Sequence, residues 1–349
     1  MKVAIIGCGT IANNAHIPSY MANSKAEIKY FCDVDLKKAQ AAVEKYGCGI
    51  AVEDYQEVLT DPEIVAVSVC TPNLMHSKIA IAAMKAGKHV LCEKPAARVY
   101  EEALEMQKVQ HETGKILNIG VVNRFNTNVR KLKALIDSGE LGEIYQVYVS
   151  FRSHRSIPGL GGAFTTKEIA GGGVMIDWGV HFFDIVMYCC GDPKTKSVSA
   201  ETFCKLGTPI EDYTYINMWA GPEIPGGTYD VEEGVTGMIR TEGPVITFNG
   251  AWAQNIGEKE MFIDFMGTKG GVRLQYGKNF TMYSTKNGML TTTQFACKEK
   301  DMFQEEIDCF VDCVESGEKL VSHIDTNIIT AQMMDAIYRS ANEHREVEL

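Results

Sequence analysis

The sequence predicts an α/β chain in two parts: a parallel sheet with helices on both faces, then a part built on a largely antiparallel sheet. Three observations predict it. Apolar runs of strand length alternate with helical patterns from the start of the chain to about Val122. The small-residue segment Gly7-Cys8-Gly9-Thr10-Ile11-Ala12 directly follows the first of those runs. Beyond Val122 the alternation stops, and strand-like stretches separated by turn residues take over.

The first strand is Lys2–Ile6, and the pattern G-x-G-x-x-G/A opens a helix over Thr10–Met21. Gly7 allows the tight turn, Gly9 lets a pyrophosphate approach the main chain, and Ala12 lets the helix lie close on the sheet. Thr10 and Ile11 lie in the first helical turn, where unpartnered N–H groups and the positive dipole end favour phosphate. The second strand, Ile28–Cys32, ends at Asp33, an acid placed to accept hydrogen bonds from ribose hydroxyls. Asp33 and Asp35 would repel a 2′-phosphate, so NAD is expected in preference to NADP. The segment thus predicts a Rossmann dinucleotide-binding domain.

Further units follow in order. Ala39–Tyr46 is helical, Gly49–Val52 a short strand, and Asp54–Leu59 a helical turn or two broken by Asp61-Pro62. Ile64–Cys70 is the apolar run of a central parallel strand. Thr71-Pro72-Asn73 leads into a helix, Met75–Ala86, stopped by Gly87. His89–Cys92 is the next strand and ends at Glu93-Lys94-Pro95; a helix from Tyr100 to Glu112 and a last strand, Ile116–Gly120, complete the series. Ligands of such sheets bind at the carboxyl ends of the strands. Thr71, Asn73, Glu93, Lys94 and Asn123-Arg124 stand there, with His76 opening the next helix as a possible cover for the cofactor or a plain helix-start histidine. Lys94 is restricted by the proline after it. It can pair with Glu93 or exchange a proton with a substrate hydroxyl.

At 349 residues the chain suits two domains, expected at 1–122 and 123–349. A net charge of −11 argues against nucleic acid as a partner. No apolar run approaches the ~18–20 residues of a spanning helix, and the amino terminus lacks the pattern of a secretory signal. No membrane partner and a cytoplasmic location are therefore expected. The eleven cysteines are scattered, with no C-x-x-C, and are read as reduced thiols. Cys309 and Cys313 share a helix face without a nearby histidine, so no metal site is expected.

In the second part, Phe125–Ser138 reads as a helix. Strands are expected at Ile144–Arg152, Ser197–Cys204, Tyr213–Ala220, Gly234–Thr241, Val245–Ala253, Glu260–Met266 and Gly271–Leu274. Two helices, Met302–Glu315 and Thr326–Asn342, close the chain. Gly171-Gly172-Gly173 reads as a flexible approach to the helical stretch Val174–Cys190. Asp177 and His181, four apart, would share one helix face, and Asp184 could join them. A histidine beside a carboxylate can carry a proton near neutral pH; the same spacing also suits a satisfied buried pair. Arg155 and Lys167, in a polar glycine-rich arm at 152–167, could hydrogen-bond sugar hydroxyls or be solvated loop charges. Trp178, Trp219 and Trp252 read as packing residues.

Gly7–Ala12, Asp33, Thr71-Pro72-Asn73 with His76, Glu93-Lys94-Pro95 and the later Asp177-x-x-x-His181 together resemble the Gfo/Idh/MocA family of oxidoreductases, over nearly the whole chain. The resemblance implies a second domain with a large open sheet, one face of which commonly pairs with another subunit, so a homo-oligomer is expected. It implies that Glu93 lies on the nicotinamide side, that Lys94 touches nicotinamide and substrate, that His181 is the general acid/base, and that Asp177 is a substrate contact or tuner. The 152–167 arm is similar to that of the carbohydrate-acting branch, although Leu160 stands where that branch often has an aromatic residue. The function implied is NAD-dependent oxidation of a secondary alcohol on a carbohydrate, best at C3 of a glucoside or glucose. Myo- or scyllo-inositol oxidation is the alternative, and a non-catalytic NAD-sensing regulator on the same fold is the alternative of another class.

Overall fold

A parallel six-stranded sheet carries the amino-terminal part, as seen in a computed structural model that describes residues 1–215 and 218–349. Its strands are β1 (Lys2–Ile6), β2 (Glu27–Cys32), β3 (Ile50–Val52), β4 (Ile64–Val69), β5 (His89–Glu93) and β6 (Leu117–Gly120). The order is β3-β2-β1-β4-β5-β6 with every pairing parallel. The order reverses beside β1, which puts the Gly7–Ala12 turn at the switch point where such sheets bind ligands. Val3–Ile6 and Ala66–Val69 are buried, as strands covered on both faces require.

The chain divides into two units, Met1–Asn126 with Lys300–Ile328, and Thr127–Glu299 with Ile329–Leu349. This departs from the expected 1–122 and 123–349 in one main respect: the segment Lys300–Ile328 returns to the first unit. The reason is apolar. Ile307, Phe310 and Val311 of the helix Met302–Ser316 are buried in one cluster with Ile17, Tyr20 and Ile5. Asn23 Nδ2 donates to Asp308 Oδ1 at 2.7 Å and Gln304 Nε2 to the Ser19 carbonyl at 3.1 Å, which fixes the register.

The second unit holds a nine-stranded sheet: β7 (Ile144–Arg152), β8 (Thr195–Phe203), β9 (Gly234–Thr241), β10 (Val245–Ala251), β11 (Glu260–Gly267), β12 (Gly270–Gln275), β13 (Phe280–Lys286), β14 (Met289–Gln294) and β15 (Val347–Glu348). The order is β14-β13-β12-β11-β7-β10-β9-β8-β15. All pairings are antiparallel except β7 with β10. The strand expected over Tyr213–Ala220 includes residues 216 and 217, which lie outside the described residues; Tyr213–Tyr215 is irregular and Trp219–Ala220 a turn. The β13–β14 hairpin was not expected, yet it carries a local signal. Asn287 and Gly288 have φ of 52° and 75°, the left-handed pair that a two-residue Asn-Gly turn demands.

The helix Val180–Cys190 packs on this sheet. Phe182 stacks on Phe151 of β7 at 5.1 Å, and Phe183 meets Phe248 of β10 edge-on at 5.0 Å. The stretch Lys167–Cys190 has the length and apolarity to cross a membrane, contrary to the reading of the bare sequence, but 78% of its most apolar window is buried in this unit's core.

Candidate active site

The candidate residues fall into two groups, one in each unit. In the first, Gly7 has φ of +94°, and a Cβ there would lie 2.6 Å from the Cys70 carbonyl, so only glycine fits. Gly9 is the opposite case: a Cβ would meet nothing within 4 Å, leaving open space over the main chain where the motif needs a pyrophosphate. The carbonyls of Cys8 and Gly9 accept from Asn13 Nδ2 at 2.9 and 3.0 Å. Thr10 and Ile11 then begin the helix, whose first N–H groups have no partner within it. At the end of β2, Asp33 Oδ2 accepts the Cys8 N–H at 2.9 Å and Oδ1 accepts the Asp35 N–H at 2.9 Å. The carboxylate is therefore held against the glycine turn.

At the end of β4, Thr71 Oγ1 is buried without a hydrogen-bond partner. An orphaned hydroxyl beside the Gly7 turn suits a ligand that would complete it. The open face over Gly9, the oriented Asp33 and this hydroxyl fit NAD. Asn73 follows in the short turn Asn73–Met75, partly buried, and Asn123 is buried just beyond β6. Arg124, also buried, instead donates to the Val321 carbonyl at 2.6 Å and Thr326 Oγ1 at 2.9 Å, tying down the returning segment.

His76 is held by main-chain carbonyls at both ring nitrogens. Its ring is buried, Nδ1 is 2.8 Å from the Pro95 carbonyl oxygen and Nε2 is 2.9 Å from the Thr71 carbonyl oxygen. It clasps the segments after β4 and β5. A neutral imidazole has one N–H for these two acceptors, and burial holds its pKa below the ordinary value. Lys94 is partly exposed, at the carboxyl end of β5, and its main-chain N–H donates to Glu93 Oε2 at 3.1 Å.

One residue of this group escaped the sequence reading. His16 lies buried on the first helix, with Nε2 2.8 Å from Glu93 Oε1. Burial opposes a charge on the ring, but the Cys70 thiol and the Glu93 carboxylate beside it outweigh that, and its pKa is pushed up to about 10. Burial likewise opposes charge on Glu93, yet the His16 hydrogen bond and charge hold its carboxyl below the usual range. The two are placed as a buried pair, an ion pair whenever the ring is protonated. A histidine followed two residues later by a proline inside a helix, His16-Ile17-Pro18, was the available signal.

In the second unit the three glycines are not a flexible approach. Gly171 closes the short helix Lys167–Ala170, while a Cβ on Gly172 would lie 2.0 Å from Tyr338 Oη and one on Gly173 1.9 Å from the Glu232 carbonyl oxygen. The Glu232 carboxylate accepts from Gly173 N at 2.9 Å, Met175 N at 3.1 Å and Tyr338 Oη at 2.8 Å. These glycines are small because they are crowded, and a buried carboxylate pins them.

Asp177 sits in a π-type turn, Met175–Gly179, and His181 in the α-helix that follows. Such turns recur at functional sites. Asp177 is buried and accepts from Trp252 Nε1 at 3.2 Å. His181 is partly exposed, its ring 6.2 Å from that of Tyr276. Asp184 is buried.

The arm residues separate. The Arg155 guanidinium donates to the His154 carbonyl at 2.6 Å and to Asn255 Oδ1 at 2.9 Å, so it holds its own loop. The Lys167 side chain is exposed. Leu160 is buried. Trp252 packs as expected, but Trp219 is 60% exposed and meets Phe164 edge-on at 4.9 Å, so it is not a core residue. Among the described residues no group of three or more His, Cys, Asp or Glu is placed to hold a metal ion.

A switch-point glycine cradle with an acid at the end of β2, followed by a unit built on a large mixed sheet, defines a two-part oxidoreductase with an NAD-binding Rossmann domain. Residues 1–121 match the Gfo/Idh/MocA model described as "Oxidoreductase family, NAD-binding Rossmann fold", and residues 129–273 match the family's C-terminal domain. The chain belongs to this family. It is 33% identical over 352 residues to D-glucoside 3-dehydrogenase of Escherichia coli (strain K12), covering 100% of this chain and 97% of the relative. Myo-inositol 2-dehydrogenase of Thermotoga maritima is 25% identical, covering 100% and 98%. Among solved structures, levoglucosan dehydrogenase in complex with NADH and levoglucosan superposes with a TM-score of 0.86 at 22% identity, covering 100% and 99%, a likeness of fold.

Proposed function

We propose that this chain oxidises a secondary alcohol of a carbohydrate with NAD, at C3 of a glucoside or glucose. The observation that carries the reading is the end-to-end likeness to D-glucoside 3-dehydrogenase, at 33% identity. Bound NAD supplies the acceptor for the hydrogen that leaves carbon as the C=O forms. In this reading His181 takes the hydroxyl proton and Lys94 holds the same oxygen, so that orientation supplies much of the rate. Asp177, held by Trp252, is a substrate contact or tunes the histidine. Thr71 and Asn73 meet the cofactor's ribose and phosphate region with His76 beside them, Glu93 lies on the nicotinamide side, Asn123 joins them at the strand ends, and Gly7, Gly9, Thr10, Ile11 and Asp33 take the phosphates and the ribose. Lys167, exposed in the arm, is offered to a sugar hydroxyl, and Arg155 ties the start of the arm to Asn255. We further place the protein in the cytoplasm, its eleven cysteines being free thiols, and expect a homo-oligomer through the open sheet face.

A second reading, oxidation of a cyclitol, is favoured by the full-length likeness to the Thermotoga enzyme. Methyl glucoside, glucose and myo-inositol, each offered with NAD, distinguish the two through the absorbance of the reduced ring and the product's NMR spectrum. A 3-keto glucoside supports the first reading, and an inosose the second. Silence with all three, with NADH still bound, sinks both and favours a non-catalytic sensor. Lys94→Ala and His181→Ala are each expected to cut turnover by ~100-fold or more with NADH binding retained. Near-normal turnover in either removes that residue's role.

A further inference from the structure

The first helix does not run evenly. Residues Ala12–His16 form a π-type turn, in which the Ile17 N–H donates to the Ala12 carbonyl, before the α-helix Ile17–Ala22 resumes. Pro18 explains it. A proline has no N–H for the carbonyl four residues back, here Asn14, and its ring collides with that carbonyl in a regular helix. A widened turn steps past the collision. Its last residue is His16, with the ring 1% exposed.

The ring is gripped from several sides. Nε2 lies 2.8 Å from Glu93 Oε1, and Nδ1 is 3.4 Å from Ser68 Oγ, which itself lies 2.9 Å from Tyr20 Oη. Ser68 is on β4 and Glu93 ends β5. The missing side chain of Gly120 leaves room for the Glu93 carboxylate. A Cβ on Gly120, its neighbour on β6, would come within 3.2 Å of Oε1. With one oxygen on His16, the carboxylate gives the other to the Lys94 main-chain N–H, at 3.1 Å. The remaining ionisable groups that act on this pair are the Cys70 and Cys92 thiols, His76 and Lys94 itself.

We propose that His16 is a positioning residue for Lys94: its ring clamps the Glu93 carboxylate, whose second oxygen holds the main chain from which the Lys94 side chain springs. The proposal rests on the reading that Lys94 acts on the substrate oxygen. His16 itself touches no substrate. It is buried beneath the turn and works through Glu93. A side chain carried by a strand-end turn is only as well aimed as its main chain, and a displacement of about 1 Å at a reacting group can cost on the order of 100-fold in rate.

Two amide variants test this. In His16→Gln the side-chain amide nitrogen reaches about as far as Nε2 and can still donate to Glu93. In His16→Asn it is too short. Turnover is measured per NADH-binding site, so that unfolded protein does not count. The glutamine variant is expected within about threefold of the parent in kcat. The asparagine variant is expected at least about 30-fold lower, with KM for the sugar changed by no more than about threefold. A merely structural histidine would alter the number of NADH sites and leave kcat per site alike in both variants; that result overturns the proposal. If neither variant binds NADH, nitrogen NMR of histidine-labelled parent protein decides. A protonated, hydrogen-bonded Nε2 on His16 supports the clamp, and a bare Nε2 refutes it. Lys94→Ala is run alongside. If it keeps turnover, the proposed role of Lys94 fails; if it loses turnover while glutamine and asparagine behave alike, only the role of His16 fails.

Discussion

The indole N–H of Trp252 donates to Asp177 Oδ2 at 3.2 Å, joining the residue that follows β10 to the π-type turn that precedes His181. Trp252 is fully buried, and its main-chain N–H donates to the Glu233 carbonyl at 2.8 Å, so the indole is held at both its root and its tip. Trp252→Phe keeps most of the ring and removes this donor. Loss of a donor to a buried carboxylate is expected to cost ~1–3 kcal/mol in denaturant unfolding. If Asp177 serves the reaction, turnover falls by ~10-fold as well. Unchanged stability would show that the indole hydrogen bond carries no weight in the fold.

Gly7 and Gly9 should respond oppositely to one added methyl group. At Gly7 a Cβ meets the Cys70 main chain at 2.6 Å and φ is +94°, so Gly7→Ala is expected to destabilise the first unit by ~2 kcal/mol or more. At Gly9 nothing lies within 4 Å, so Gly9→Ala should melt like the parent. Its methyl group stands where the pyrophosphate must approach, and NADH affinity should fall by ~10-fold or more. Melting curves and NADH titrations of both variants check this. Parent-like NADH binding by Gly9→Ala would mean the phosphates lie elsewhere.

Asp33 does two things at once. It shapes the turn through the Cys8 N–H and presents a negative charge at the end of β2. Asp33→Asn keeps oxygen acceptance toward Cys8 and removes the charge. The variant should fold normally, bind NADH ~10-fold more weakly, and narrow the gap between NADH and NADPH. An unchanged preference would shift discrimination to another residue.

Features written in adjacent residues were legible in the sequence, and features made by distant ones were not. The strand, turn and acid around Gly7, Gly9 and Asp33 are local, and the structure places them as their spacing implies. The Asn287-Gly288 hairpin was equally local and was overlooked. By contrast, His16 meets Glu93 across 77 positions and Trp252 meets Asp177 across 75. Nothing periodic marks either pair. Gly172 and Gly173 are illegible for the same reason: the crowding that demands small residues there comes from Tyr338 and Glu232, far along the chain. Periodicity showed that Met302–Ser316 is a helix, but not that its apolar face belongs to the first unit.

The buried His16–Glu93 pair also ties stability to pH, with a sign set by each partner. The imidazole's pKa rises from 6.5 to about 10 on folding, because Cys70 and Glu93 outweigh the opposing effect of burial. The folded state thus keeps a proton that the unfolded state has released. Its contribution is fully present below about pH 6.5 and is lost as pH rises through about 10. Glu93 acts on the acid side. Its folded carboxyl titrates below the usual 4.5, so its contribution is present above that pH and is lost as pH falls through the lowered value. His76, with a pKa lowered by burial, adds to the acid side, because below about pH 6.5 the unfolded chain takes up a proton that the folded ring refuses. Lysines and thiols also titrate in the alkaline range, so the useful quantity is the stability of the parent minus that of His16→Gln. This difference is expected to shrink steadily between about pH 7 and pH 10, by up to ~1.4 kcal/mol per pH unit for one proton. Denaturant unfolding of both proteins at half-unit steps measures it. A difference that stays level across that range would mean the buried ring is neutral at pH 7 and the pair is a hydrogen bond without charge.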